Sequence, residues 1–260
     1  MNVYICTDFE GITGVTLWEQ VHPKHGAAYE DAQRLFMSDI NAAIEGCFEG
    51  GATRVVVLDG HGWPMNVVPE LMHPKGEFIT GSGVPRGWCL DEGFDVGMQV
   101  GCHAMNRTSD GVLYHTQNHL NDSRYWYNDR ECGEIAQMAL CMGHFGIPQV
   151  MVTGDVAACR EAREFFGPDL VTVAVKEGYG RNCCKMLGPE ETAKMIREGA
   201  RKAMGLAGKA KPFTMELPLR AKLERLAEPV EDYTPLEQIV TLPHVTHEGT
   251  CPTQLDVYGF

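Results

Sequence analysis

The chain has 260 residues, 44% of them hydrophobic, which is enough apolar material to bury a core without crosslinks and a length that allows one large domain or two small ones. Lys and Arg number 22 against 35 Asp and Glu; the formal charge of −13 repels phosphate backbones and anionic membrane surfaces and argues against nucleic acid or membrane partners. Ten cysteines lie scattered with no Cys-x-x-Cys spacing, and the residues before Asp8 cannot form an export signal, so buried thiols and a cytoplasmic location are expected.

Residues 3–7 read as a first strand. An amphipathic helix follows at about 29–48, with Leu35, Phe36, Ile40, Ala43, Ile44 and Phe48 near helical spacing and Gly50-Gly51 as its stop. Strands are then predicted over Val55-Val56-Val57-Leu58, around 78–80 and over 96–102, each bounded by Gly, Pro or Asp. Such continuous apolar runs suit parallel strands buried on both faces. The second half repeats the rhythm: an edge pairing around 124–127, a helix at about 133–145, a strand at 149–153, a helix at 157–166 and a strand at 170–176. Pro189-Glu190-Glu191 opens another helix, with Pro at an allowed first-turn position and acids that favour the helix dipole, running to about Leu206. Residues 205–212 look like a linker into a less regular tail. The expected fold is α/β, a parallel-type sheet with helices on both faces plus a smaller, less regular C-terminal region. Residues 1–208 form the expected catalytic domain and 209–260 the C-terminal region.

Open α/β sheets place ligands beyond the carboxyl ends of their strands, and the residues there share one chemistry. The first strand is followed by Asp8-Phe9-Glu10-Gly11, the second by Asp59-Gly60-His61-Gly62, and the run at 96–102 leads into Gly101-Cys102-His103. Side chains two apart in extended backbone share a face, so Asp8 and Glu10 can enter one site. Two adjacent carboxylates repel unless a cation separates them, and carboxylate with imidazole is a usual ligand set for zinc. Gly11, Gly60, Gly62 and Gly101 would let the loops approach closely. Taken singly, Asp8 is equally a turn cap, and His61 or His103 a hydrogen-bonded loop histidine. The recurrence at three strand exits is what makes a site.

Glu134 sits in a first helical turn, where the dipole alone favours an acid, and Asp155 before an Ala-rich helix reads as an N-cap. His115 and His119 have a spacing that puts both on one helical face, although the Gly, Asn and Thr around them equally allow a loop; either would serve as an acid-base group. The remaining histidines read as surface or loop residues. Lys176 and Arg181 would hold a substrate carboxylate or act as solvated or structural cations, the latter being the ordinary role.

In order along the chain, Asp8-Phe9-Glu10-Gly11-Ile12-Thr13-Gly14, Asp59-Gly60-His61-Gly62, Gly101-Cys102-His103-Ala104, Gly111-Val112-Leu113-Tyr114-His115, Asn128-Asp129-Arg130 with Gly133-Glu134, Thr153-Gly154-Asp155 and Ala174-Val175-Lys176 resemble the signatures of the zinc D-aminopeptidase family. The resemblance implies an aminopeptidase that hydrolyses the N-terminal peptide bond of short peptides, those with N-terminal D-residues included, by a metal-activated water. It also implies two zinc ions per subunit. Asp8 would bridge them, Glu10 and His61 would hold one, His103 and Glu134 the other, and His115 would be the catalytic histidine. A homo-oligomer, a decameric ring, is implied as well. Tyr114 and Thr116 depart from the small serine-like neighbours of that histidine in the family, and beyond Pro212 the likeness shrinks to a few residues such as Gly249-Thr250. The residues alone also allow a dinuclear metal phosphoesterase, although the Gly-Asn-His motif of such phosphatases is absent, or a non-catalytic metal-binding module, although structural zinc is usually closed by Cys and His.

Overall fold

The computed structural model describes residues 1–63, 65–83 and 87–260. In chain order its elements are β1 (Asn2–Thr7), α1 (Ala27–Glu49), β2 (Arg54–Asp59), β3 (Gly76–Ile79), β4 (Val96–Cys102), β5 (Arg124–Tyr127), β6 (Arg130–Cys132), α2 (Glu134–His144), β7 (Gln149–Asp155), α3 (Val156–Phe166), β8 (Val171–Gly180), β9 (Cys183–Met186), α4 (Pro189–Ala203), β10 (Leu219–Leu226), α5 (Leu236–Ile239) and β11 (His244–Cys251), with short 3-10 turns between. The main sheet runs β3-β2-β1-β4-β7-β8-β9, parallel except where β9 folds back on β8. A second, antiparallel sheet has the order β11-β10-β5-β6.

Period-two alternation explains the layers. Val3, Ile5, Val55 and Val57 pack in one core with Phe36, Ile40 and Ile44 of α1 and Ile196 and Ala200 of α4. Their neighbours Tyr4, Cys6, Val56 and Leu58 pack in another with Ala136 and Leu140 of α2. With Ala158 and Ala162 of α3 packed with Val152 of β7, helices cover both faces, as the apolar runs predict. The tail is expected to be irregular, yet Leu219, Ala221 and Leu223 alternate with Arg220, Lys222 and Glu224, and β10 and β11 pair over eight residues and extend the sheet begun by β5 and β6.

The segment after β1 is tied to the helices on one face. Asp39 of α1 is buried and accepts a 2.9 Å hydrogen bond from the Thr13 amide, and the Thr13 hydroxyl lies 2.9 Å from that of Thr192 in α4. The second oxygen of Asp39 has no partner, and burial pushes its carboxyl up to about 6. A folded value above the unfolded one means that this group favours folding at low pH and that the advantage is lost as pH rises through about 6. A shift of this size corresponds to about 3 kcal/mol. Urea unfolding of Asp39→Asn and the parent should therefore diverge between about pH 4 and pH 7, the variant gaining about 2–3 kcal/mol relative to the parent; parallel pH curves would show that the carboxyl ionises normally.

Candidate metal centre

Asp8 and Glu10 follow β1, His61 follows β2, His103 follows β4, and Glu134 opens α2, so four segments distant in sequence deliver their side chains to one end of the sheet. The structure brings all five together. Asp8 places Oδ1 at 3.3 Å from His61 Nδ1 and Oδ2 at 3.3 Å from His103 Nε2. Glu10 Oε2 is also 3.3 Å from His61 Nδ1, and Glu134 Oε1 is 3.4 Å from His103 Nε2.

Hydrogen bonds on the far side of each ring decide what these contacts mean. His61 Nε2 donates to the Val21 carbonyl at 2.8 Å, and His103 Nδ1 donates to the Ala104 carbonyl at 3.0 Å. In the neutral rings, His61 Nδ1 and His103 Nε2 then turn lone pairs toward carboxylate oxygens, an arrangement that needs a proton or a metal cation between them. Glu10 Oε2 and His103 Nε2 are moreover buried without any hydrogen-bond partner. Orphaned donors of this type, oxygen and imidazole nitrogen with anchored outer hydrogen bonds, fit zinc.

Protons fill the electrostatic role of the cation. Burial works against the imidazolium forms of His61 and His103, but the carboxylates outweigh it and hold both rings well above their ordinary value. Burial likewise raises Asp8, yet His103 and His61 pull it below the usual carboxylate range; Glu10, where burial prevails, is raised. Metal loading would release those protons.

His115 lies in a loop, which settles the choice its spacing left open. Its ring stacks on His103 at 4.0 Å and 14°, its Nδ1 donates to the Leu113 carbonyl at 2.9 Å, and its Nε2 is 3.8 Å from Glu134 Oε1. Ligand atoms of His103, His115 and Glu134 lie within 4.8 Å of one another, as do those of Asp8, Glu10 and His103. Burial, then His103 and His119, push His115 well below its ordinary value, so the ring is neutral. Leu113 and Gln117 in this loop have positive φ, 49° and 62°, and the Gln117 amide donates to Glu134 Oε1 at 2.6 Å. Backbone held in that region is strained and points to a conformation fixed by its surroundings.

Other expectations resolve differently. Lys176 is buried and donates to the carbonyls of Glu10, Ile12 and Val15 at 2.6, 2.9 and 2.5 Å. Three acceptors require three N–H groups and hence the ammonium form, although burial pulls this group down to about 8. It is neither a solvated cation nor one side of an ion pair: it staples the segment that carries Glu10. Arg181 lies between the rings of Trp18 and Tyr114, 5.0 Å from each, and donates to the His119 carbonyl at 3.1 Å. Asp155 caps α3 through Ala158 N at 2.7 Å and also binds Val112 N at 2.6 Å. Asp59 binds Asn66 and Thr80 and so shapes the loop that carries His61. A Cβ on Gly11 would come within 1.9 Å of the Cys102 carbonyl oxygen, and Gly101 combines φ of +83° with a comparable clash, so both must be Gly; Gly62 has open space around it.

Sequence reasoning missed the far wall. His119 Nε2 is 2.7 Å from Asp232 Oδ1 and its ring stacks on Trp18 at 4.1 Å. Asp232 lies between β10 and β11, and no local pattern links it to His119. Cavities of about 470 and 440 Å³ meet at Asp8, His61 and Glu134; His103 faces the first, Glu10 and His115 the second.

A carboxylate-rich donor set at the carboxyl end of a parallel sheet, open to two cavities, defines a metallohydrolase. The family is then plain: the sequence profile of the peptidase M55, D-aminopeptidase, family matches residues 1–248, and the chain belongs to that family. It is 32% identical over 218 residues to a D-aminopeptidase of Bacillus subtilis (strain 168), covering 82% of this chain and 77% of that protein. The solved structure of the Zn-dependent D-aminopeptidase DppA from Bacillus subtilis, described as a self-compartmentalizing protease, superposes with a TM-score of 0.86 at 28% identity, covering 100% of this chain and 94% of the other.

Metal binding has a direct thermodynamic readout. Zinc at 100 times its Kd should stabilise chelator-stripped protein by about 2.7 kcal/mol in thermal or urea unfolding. His61→Ala and His103→Ala should lose most of that shift, and a full shift in both would show that zinc binds elsewhere.

Proposed function

We propose that the chain is a zinc aminopeptidase that holds two zinc ions per subunit and releases the N-terminal residue from short peptides, D-configured residues among them. The observation that carries this reading is the position of Asp8, with one oxygen turned to His61 beside Glu10 and the other to His103 beside Glu134. In this reading Glu10 and His61 would hold one ion, His103 and Glu134 would hold the other, and Asp8 would contribute to both. Three carboxylates against four positive charges leave a centre that is nearly neutral. Zinc bound there supplies carbonyl polarisation and a water of lowered pKa.

The residues of the chain do the rest. Because His115 gives its Nδ1 proton to the Leu113 carbonyl, its Nε2 carries the lone pair and can accept a proton beside the reacting bond, then return it to the leaving amine. Stacking on His103 and the fixed loop hold that nitrogen in place. Val21 and Ala104 hold the ligand rings in the tautomer that faces the centre. Lys176 keeps Glu10 on its side of Asp8.

The same reading assigns catalysis to residues 1–208 and gives 209–260 a supporting part, since the latter bring in Asp232. It extends to a cytoplasmic homo-oligomer, a decameric ring; the self-compartmentalizing description of the similar structure supports assembly, and no described helix is long and apolar enough to cross a membrane.

One panel tests the reading. Zinc-loaded protein is assayed on matched D-alanyl and L-alanyl peptides and on a phosphate ester, with metal content measured in parallel. D-alanyl peptides should be cleaved and the ester left intact. His115→Ala should retain zinc and lose about 100-fold or more in kcat; undiminished turnover would remove His115 from the reaction, and cleavage of the ester alone would replace the peptidase reading.

A further inference from the structure

The cavity of about 470 Å³ on the His103 side is lined in part by a residue that no metal-site argument uses, Tyr258. It belongs to the 3-10 turn Gln254–Gly259, whose position is fixed at several points. Thr253 donates through its amide and hydroxyl to Asp256 Oδ2 at 2.7 and 2.8 Å, the Cys141 thiol reaches the Gln254 carbonyl at 3.7 Å, and the buried Tyr127 hydroxyl donates to the Val257 carbonyl at 2.9 Å. The Tyr258 ring stands edge-on to Trp88 at 5.1 Å and 83°, and the Trp88 carbonyl is itself held by the Tyr4 hydroxyl at 2.7 Å. Tyr258 is thus a rigid group on a rigid mount.

Tyr4, Tyr29, Tyr125 and Tyr127 each give their hydroxyl to a protein acceptor. The Tyr258 hydroxyl makes no hydrogen bond to a described residue, and Tyr258 lines the cavity that Asp8, His61, His103 and Glu134 also line. Burial pushes the phenol well above its ordinary value, and Glu134, Cys6, Cys141 and Asp8 push it the same way. A phenol, whose ordinary value is about 10, keeps its proton at neutral pH, so the group is a hydrogen-bond donor. His115 lies against the other cavity, so the two groups approach the centre from different sides.

We propose that Tyr258 is a catalytic hydrogen-bond donor to the carbonyl oxygen of the bond being cleaved. The inference rests on the peptidase reading above and adds a residue to it. As the water oxygen bonds to the carbonyl carbon and passes a proton to His115 Nε2, the π pair moves onto the carbonyl oxygen, and the Tyr258 O–H strengthens its hydrogen bond to that growing negative charge. When the C–N bond breaks, the pair returns to re-form the carbonyl, and the leaving nitrogen takes its proton from His115. Tyr258 keeps its proton throughout. A preorganised donor of this kind acts on kcat, because its bond is stronger in the transition state than in the bound substrate.

The test is Tyr258→Phe, which keeps the ring against Trp88 and removes only the hydroxyl. In the zinc-loaded protein, zinc content and melting temperature should match the parent, KM should move by about twofold or less, and kcat should fall about 100-fold. Calorimetric affinity for a phosphinic peptide, a tetrahedral mimic of the reacting carbonyl, should weaken by a similar factor, while binding of the released amino acid stays unchanged. A parent-like kcat overturns the proposal. So does a fall in kcat accompanied by lost zinc or equal losses for mimic and product, since either would show a structural role. A parent protein that cleaves no peptide would remove the peptidase reading itself, whereas an active parent with an equally active Tyr258→Phe removes this inference alone.

Discussion

Three carboxylates and two imidazole lone pairs face one another across 3.3 to 3.4 Å, largely out of water, and the rest of the molecule is arranged around that conflict. Like-charged oxygens in a medium of low dielectric repel strongly, and a buried carboxylate or imidazole nitrogen without a partner is costly. Protonation of the rings relieves part of this, at the expense of burying imidazolium. Divalent cations relieve it more fully, because a single ion satisfies several donors at once.

A site that disfavours its own assembly must be held by the scaffold. Parallel strands supply the first part of the solution, since β1, β2 and β4 lie side by side and end together, so residues more than fifty positions apart emerge at one rim. Close approach of backbone supplies the second: the Gly11 amide meets the Gly101 carbonyl at 2.7 Å, a contact that a side chain on either residue would prevent. The Lys176 ammonium supplies the third, gathering the carbonyls of Glu10, Ile12 and Val15 onto one buried cation. Asp39 and Thr192 hold the same segment from the helical layer. The interactions that fix the ligands are thus mostly made by backbone, as suits a centre whose geometry must not relax when the ions bind.

Much of this was readable from the chain because its signals are local. The helix expected over residues 29–48 is Ala27–Glu49, the strand over 96–102 is Val96–Cys102, and the acids and histidines stand directly after the strands that deliver them. The resemblance carried by the ordered motifs implied a division of ligands between two ions, which spacing alone left open. Most of what escaped prediction depends on contacts between distant segments. β10 alternates Leu219, Ala221 and Leu223 with Arg220, Lys222 and Glu224, a signal that the expectation of an irregular tail passed over, whereas β11 is polar and exposed over most of its length and forms by pairing with β10. The His119–Asp232 pair joins residues over a hundred positions apart. Lys176 resembles any cation at a strand end until the three carbonyls around it are seen. Gly62 looks like its neighbours in sequence, yet of the four loop glycines at the strand exits it alone is not crowded by backbone, as Gly11, Gly60 and Gly101 are. Tyr258 has no motif at all and becomes notable only because it lines the cavity of the candidate metal centre with its hydroxyl unbonded to any described residue.

The claim that everything else depends on is that Asp8 joins two cations. Zinc-edge anomalous diffraction from crystals soaked in zinc addresses it most directly. Two peaks per subunit on either side of the Asp8 carboxylate, one against Glu10 and His61 and the other against His103 and Glu134, are the result this account requires. A single peak, or zinc bound away from Asp8, would contradict it.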